Sequence, residues 1–186
     1  MISVVSLWIP ILISAVIVFF VSAVIHMLLP YHRTDFRKLP SEDEVMAALR
    51  SFHIAPGDYE MPWAGTPKER SAPEFLEKTK RGPAALLTVA PSGGPNMGKL
   101  LLYWFLYCIV VSVFAAYVAG RAVAPGGPYL SVFRFAGCTA FAGYSLALLQ
   151  NSIWFGRAWN STFKSILDGL IYTALTAGCF GWLWPE

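Results

Sequence analysis

Charge is what this sequence has least of. Asp, Glu, Lys and Arg make up 13% of its 186 residues, about half the roughly 25% of an ordinary soluble domain. Histidine and cysteine are sparse too, at three each. Each shortage excludes something. The net charge of +3 includes no basic stripe, and the charged middle of the chain is mixed in sign, so no nucleic-acid partner is expected. Cys108, Cys138 and Cys179 form no C-x-x-C pair, which removes a zinc knuckle or thioredoxin-like redox pair. His26 is the one histidine in an apolar run. A single chain therefore builds no transmembrane bis-His haem site, although a symmetric dimer would pair two. No closely spaced Cys/His set marks a metal centre, and no serine stands in a G-x-S-x-G elbow. The expectation is a non-enzymatic chain with no metal and no other cofactor.

Apolar residues are what the chain has, at 56%, and its charges are segregated. Nine of the 14 Lys and Arg fall between Arg33 and Arg81, and nine of the 11 acids between Asp35 and Glu77. Four apolar runs remain, at residues 4–29, 100–120, 130–153 and 163–184, each long enough to cross about 30 Å of hydrocarbon. A helix satisfies its own backbone in lipid, so the predicted class is an all-α integral membrane protein, with four transmembrane helices in an antiparallel bundle. The organisation is a first helix within 1–30, a long loop over 31–97 and three helices over 98–186. No Lys or Arg precedes the first run, so it reads as an uncleaved anchor and not as a secretory signal.

Basic residues set the orientation. Arg33, Arg37, Lys38, Lys78, Lys80, Arg81 and Lys99 flank the long loop, and Arg157 and Lys164 flank the last turn, against Arg121 and Arg134 on the other side. The imbalance puts the 31–97 loop in the cytoplasm and both termini across the membrane. Tyr31, Tyr103, Trp104, Trp154 and Trp159 then suit an inner aromatic belt. Within the loop, Ser41 and Glu44 read as a capping box opening a helix over 41–52, with Val45, Leu49 and Phe52 on one face. Residues 53–73 read as extended loop, and a second short helix runs over 73–81 from Pro73. The apolar stretch 84–90 is too short to span. It reads as a strand or surface segment that needs a partner strand, from this chain or another.

Three candidate features carry function. The first is a polar cluster at one depth near the cytoplasmic face: Asp168, His26, Gln150, Asn151 and Lys99. Ionisable groups inside a span are functional candidates for ion binding or proton relay. The structural alternative is polar packing, with Lys164 one turn from Asp168 and the carboxylate in the first turns of its helix. The second is the 93–99 turn, which matches G-x-x-x-x-G-K. Leu100 stands where a phosphate loop needs Ser or Thr, and Pro95 removes an amide, so nucleotide chemistry is excluded. Gly98 and Lys99 remain as a candidate site for a lipid phosphate. The third is a set of small residues at steps of four: Gly169, Thr173, Ala177 and Gly181, with Gly143, and Ala116 with Gly120. Such faces let helices approach closely.

The stretches beginning Ile25-His26-Met27 and Leu39-Pro40-Ser41, and the segment from Phe141 to Trp159 containing Gln150-Asn151-Ser152-Ile153-Trp154, resemble small bacterial inner-membrane proteins that carry no assigned activity. The resemblance implies a bacterial inner-membrane setting and no functional residues. The leading expectation is a structural or accessory subunit that packs, through its small-residue faces, with itself as a homo-oligomer or with a larger membrane complex. The alternatives are a small transporter or channel working through the polar cluster, and a lipid-headgroup-binding protein in contact with membrane lipids.

Overall fold

Small and hydroxyl-bearing side chains make up much of the interior of the helical unit, with Leu7, Val18, Val132 and Phe180 enclosed among them, while many large apolar side chains stay outside. The computed structural model describes residues 1–94 and 96–186; Pro95 of the 93–99 turn lies outside the described residues. In chain order the elements are α1 (Trp8–Leu28), α2 (Glu42–Ser51), β1 (Gly57–Met61), α3 (Pro67–Arg70), α4 (Pro73–Arg81), β2 (Ala85–Val89), α5 (Met97–Ala122), α6 (Tyr129–Tyr144), α7 (Leu149–Phe155) and α8 (Trp159–Trp182). They fall into two units. One comprises Met1–Arg37 with Met97–Glu186, the other Lys38–Asn96.

In the larger unit α1 packs on α5 and α8, α5 on α6, and α6 on α8. Three helical segments are long and apolar enough to cross a membrane: Val5–Leu28, Met97–Ala122 and Tyr129–Phe155. The fourth long helix, α8, carries Lys164 and Asp168 and is not in that set. Ser14, Ser112, Ala115, Ala136, Ala140 and Thr176 are fully enclosed, whereas Phe20 and Phe114 are 63% and 61% exposed. A soluble monomer rarely exposes a continuous apolar surface of this kind, while lipid accepts it without cost. Hydroxyls join the helices from within. Ser14 and Ser112 are 3.0 Å apart across α1 and α5. The Trp104 indole donates to Ser22 at 2.8 Å, which ties this half-buried ring to α1. At the far end of α5 the Ile2 amide donates to the Gly120 carbonyl at 2.8 Å and the Gly126 amide to Pro185 at 2.9 Å. Both chain termini therefore sit beside the α5–α6 turn.

The small residues are used inside the chain. A Cβ on Gly137 would lie 3.3 Å from Ala177 and 3.8 Å from Thr173, so the α8 ladder faces α6. Gly181 makes room for the Tyr129 ring and Gly143 for Val111; Gly120 meets the Ile2 carbonyl, and Ala116 is fully buried. The third apolar run is also not one helix. Helix α6 ends at Ser145 (φ −127°, ψ −47°), and a 3-10 turn over Leu146–Leu148 precedes α7. The break lies where α8 comes closest, because a Cβ on Gly169 would meet the Ser145 hydroxyl.

The smaller unit holds more order than a loop with two helices. β1 and β2 form an antiparallel pair with Tyr59 opposite Leu87 and Asp58 opposite Thr88. The Thr88 hydroxyl donates to Asp58 at 2.7 Å. The partner strand expected for the 84–90 stretch thus comes from this chain, out of residues predicted as extended loop. Helix α4 begins at Pro73 as expected. Ser41 does not cap α2: it adopts a left-handed φ of 47° and makes no capping hydrogen bond. Phe52, assigned to the apolar face, is 71% exposed. The capping chemistry falls instead on Thr66, which accepts from the Glu69 amide at 3.2 Å, while Glu69 accepts from the Gly65 amide at 2.8 Å. Thr66→Ala should cost about 1 kcal/mol locally. Amide hydrogen exchange at Glu69 should accelerate severalfold, and unchanged exchange there would refute the cap.

Candidate functional site

Proline starts the site. Leu29 is extended (ψ 134°), as a residue before proline prefers, and Pro30 opens a 3-10 helix over Pro30–Thr34. The turn folds the chain back onto α1 and α8, closing with the Asp35 amide on the His32 carbonyl at 3.0 Å. Residues 30–37 therefore belong to the helical unit and not to the loop. Tyr31, His32 and Asp35 are brought against the first turns of α8, which supplies Lys164 and Asp168.

These five residues form one network. The Tyr31 hydroxyl donates to Asp168 Oδ1. His32 Nε2 lies 2.9 Å from Asp168 Oδ2, and His32 Nδ1 lies 2.8 Å from Asp35 Oδ2. Lys164 Nζ donates to the Tyr31 carbonyl at 2.6 Å, the Thr34 hydroxyl at 2.7 Å and Asp35 Oδ1 at 3.1 Å, which uses all three ammonium protons. Asp168 is 3% exposed. Both ring nitrogens of His32 face carboxylates, and Lys164 sets a cation beside Asp35. The His26 ring lies against His32, 4.5 Å between centroids and tilted by 47°.

Electrostatics agree with the geometry. Burial pushes the Asp35 carboxyl up, but hydrogen bonds and charge from His32 and Lys164 outweigh it and hold the group below the usual carboxylate range. Burial, then the hydrogen bond to Asp168, raises the Tyr31 hydroxyl. The depressed Asp35 value fixes a sign. Its stabilisation is fully present above the ordinary carboxyl pKa and is lost as pH falls through the lower folded value. Asp35→Asn should therefore flatten the acid limb of a plot of thermal midpoint against pH; an unaltered limb would show that Asp35 is not the group responsible.

Of the five residues expected in the polar cluster, the structure brings together Asp168 and His26. Gln150 is exposed and Asn151 half-buried, beyond the break at Ser145, and neither makes a contact in the network. Lys99 lies on the first turn of α5 with its ammonium 5.5 Å from the Tyr103 ring centre. Lys164 serves Asp35, not Asp168 as helix spacing suggests. Tyr31, read as a belt residue, is inside the network. The fold also gathers residues that are far apart in sequence: donor atoms of His26, His32 and Asp168 all lie within 4.8 Å of one another. Sequence spacing hides this set, because its third member is more than a hundred residues from the other two. The signal available was Pro30 directly after an apolar helix, followed at once by Tyr-His.

Below Asp168 the same face of α8 continues with Tyr172 and Thr176, both buried. Their hydroxyls, with those of Tyr144, Ser145 and Thr173, find no hydrogen-bond partner among the described residues. The Tyr144 hydroxyl lies beside both the Thr176 hydroxyl and the Cys108 thiol. The Tyr144 and Tyr172 rings meet edge-on at 5.6 Å. From Asp168 to Thr176 is eight residues, about 12 Å of helix. Asp168, Tyr172 and Thr176 thus form a polar column along one face of α8.

The chain matches no family model, no curated protein and no solved structure. The function must be argued from the cluster and the column.

Proposed function

We propose that this chain is a four-span antiparallel membrane protein that conducts protons, with the ionic cluster as the mouth of the path. Length, the many exposed large apolar side chains and the packing of α8 against α1 and α6 support counting α8 as the fourth crossing despite its two charges. The basic residues around 33–99 support a cytoplasmic position for the cluster end, and the resemblance to small bacterial proteins supports the inner membrane. The observation that carries the reading is a buried carboxylate, Asp168, followed on the same face of α8 by Tyr172 and Thr176, whose buried hydroxyls have no hydrogen-bond partner among the described residues. Polar groups in a span are retained at a cost, and a carboxylate with titratable neighbours is the usual element of a proton relay. An accessory role through small-residue faces draws less support, since those faces are occupied within the chain.

The test is reconstitution. Vesicles containing the protein and an internal pH dye should lose an imposed proton gradient, and Asp168→Asn should slow that loss about tenfold or more. Tyr172→Phe, which removes one hydroxyl and leaves the cluster intact, should slow it as well. Vesicles that hold the gradient as long as protein-free ones would end the proposal.

A further inference from the structure

We infer that His26, His32 and Asp168 form a binding site for one divalent transition-metal ion of the zinc class. The donors come from three elements: the last turn of α1, the 3-10 turn after Pro30, and α8. Their ligand atoms lie within 4.8 Å of one another. In a tetrahedral zinc site each ligand atom is about 2.0–2.2 Å from the metal, which puts neighbouring ligands about 3.3 Å apart. The His32 Nε2 to Asp168 Oδ2 separation of 2.9 Å is already close to that. His26 completes the set by a rotation of its ring, which is exposed on the last turn of α1.

The surroundings are those of a metal ligand pair. Asp35 accepts from His32 Nδ1, which fixes the ring and presents Nε2 to the site. A histidine held by a carboxylate on its far nitrogen is the usual support for a metal-bound imidazole. Tyr31 occupies Asp168 Oδ1, leaving Oδ2 for the ion. On binding, the metal takes the place of the proton between Nε2 and Oδ2, and that proton leaves to solvent. Two imidazoles and one carboxylate suit zinc, cobalt or nickel. Magnesium and calcium require a larger shell of oxygens. Three protein ligands leave the fourth position for water. The consequence for conduction rests on the proton reading: an ion here would hold the Asp168 carboxylate and close the mouth of the path. Binding itself does not depend on that reading.

The experiment uses the full chain in detergent, purified on a tag free of histidine. Zinc is titrated against a chromogenic chelator, and cobalt is followed by its visible absorption. One zinc per chain should bind, with magnesium in large excess failing to compete. His26→Ala, which removes a ligand without breaking the ionic network, should weaken zinc about tenfold or more and alter the cobalt spectrum. Asp35→Asn should weaken zinc about 10–100-fold while keeping the cobalt spectrum, as expected of a positioning residue. Zinc affinity unchanged in His26→Ala, or magnesium competing on equal terms, would overturn the site. If Asp168 variants fail to fold, the His26 variant still decides. A chain that binds zinc in vesicles that hold their gradient would overturn conduction alone. A chain that conducts protons and takes up no zinc would overturn the metal site alone.

Discussion

Asp168→Ala should destabilise the helical unit by about 3–5 kcal/mol, the usual cost of removing one partner from a buried ion pair. The side chain is nearly fully enclosed and accepts from both Tyr31 and His32. Alanine leaves the Tyr31 hydroxyl without its acceptor and His32 Nε2 without its carboxylate. Asp168→Asn keeps one acceptor oxygen and should cost less. The measurement is the thermal or denaturant midpoint of the protein in a fixed detergent. His32→Ala should also be costly, yet the double variant should be less unstable than the sum, because each change strands the same partner. Strict additivity would mean that the two side chains do not interact in solution, and both the conduction and the metal readings would lose their foundation. A salt bridge of this kind is weak evidence of net stabilisation, since an apolar replacement of the whole network can be neutral.

Much of this was legible in the sequence, and the illegible part has a physical cause. Hydropathy locates the long helices because lipid demands long apolar runs. Asp168 and His26 stand out because each interrupts such a run. Tyr31, His32 and Asp35 do not stand out, since they lie past Pro30 in residues that read as the start of a solvated loop. Their position depends on a short 3-10 turn returning to α8, a tertiary contact with no local periodicity. Gln150 and Asn151 were placed level with Asp168 by counting along a straight helix. The count fails where the helix breaks at Ser145. The strand pair was half visible: Ala85–Val89 has the apolar pattern, whereas Gly57–Met61 (Gly-Asp-Tyr-Glu-Met) is mostly polar or exposed and gives no alternation. Small residues at steps of four did signal close packing. Whether they pack within a chain or between chains is not written in the spacing, and here the neighbours are internal.

The break at Ser145 and the bareness of Gly169 are two sides of one contact, and a pair of substitutions should expose it. A Cβ at position 169 would lie 2.1 Å from the Ser145 hydroxyl oxygen, 3.1 Å from the Tyr144 carbonyl and 3.3 Å from the Ser145 Cβ. Gly169→Ala should therefore destabilise the unit by about 1–3 kcal/mol through overpacking, against the roughly 0.5–1 kcal/mol a helix interior ordinarily gains from this change. Ser145→Ala removes the atom in the worst conflict, and that atom has no hydrogen-bond partner to lose among the described residues. Alone it should be nearly silent. Combined with Gly169→Ala it should recover most of the lost stability, leaving only the 3.1 Å and 3.3 Å contacts to relax. A coupling of about 1 kcal/mol or more of that sign is the expected result. Because Gly169 adjoins Asp168, the single variant should also disturb the cluster, and the double variant should restore zinc uptake along with the melting temperature. Recovery of stability without recovery of zinc binding would show that the α6–α8 contact and the cluster are independent, and that the placing of Asp168 depends on the turn after Pro30 alone.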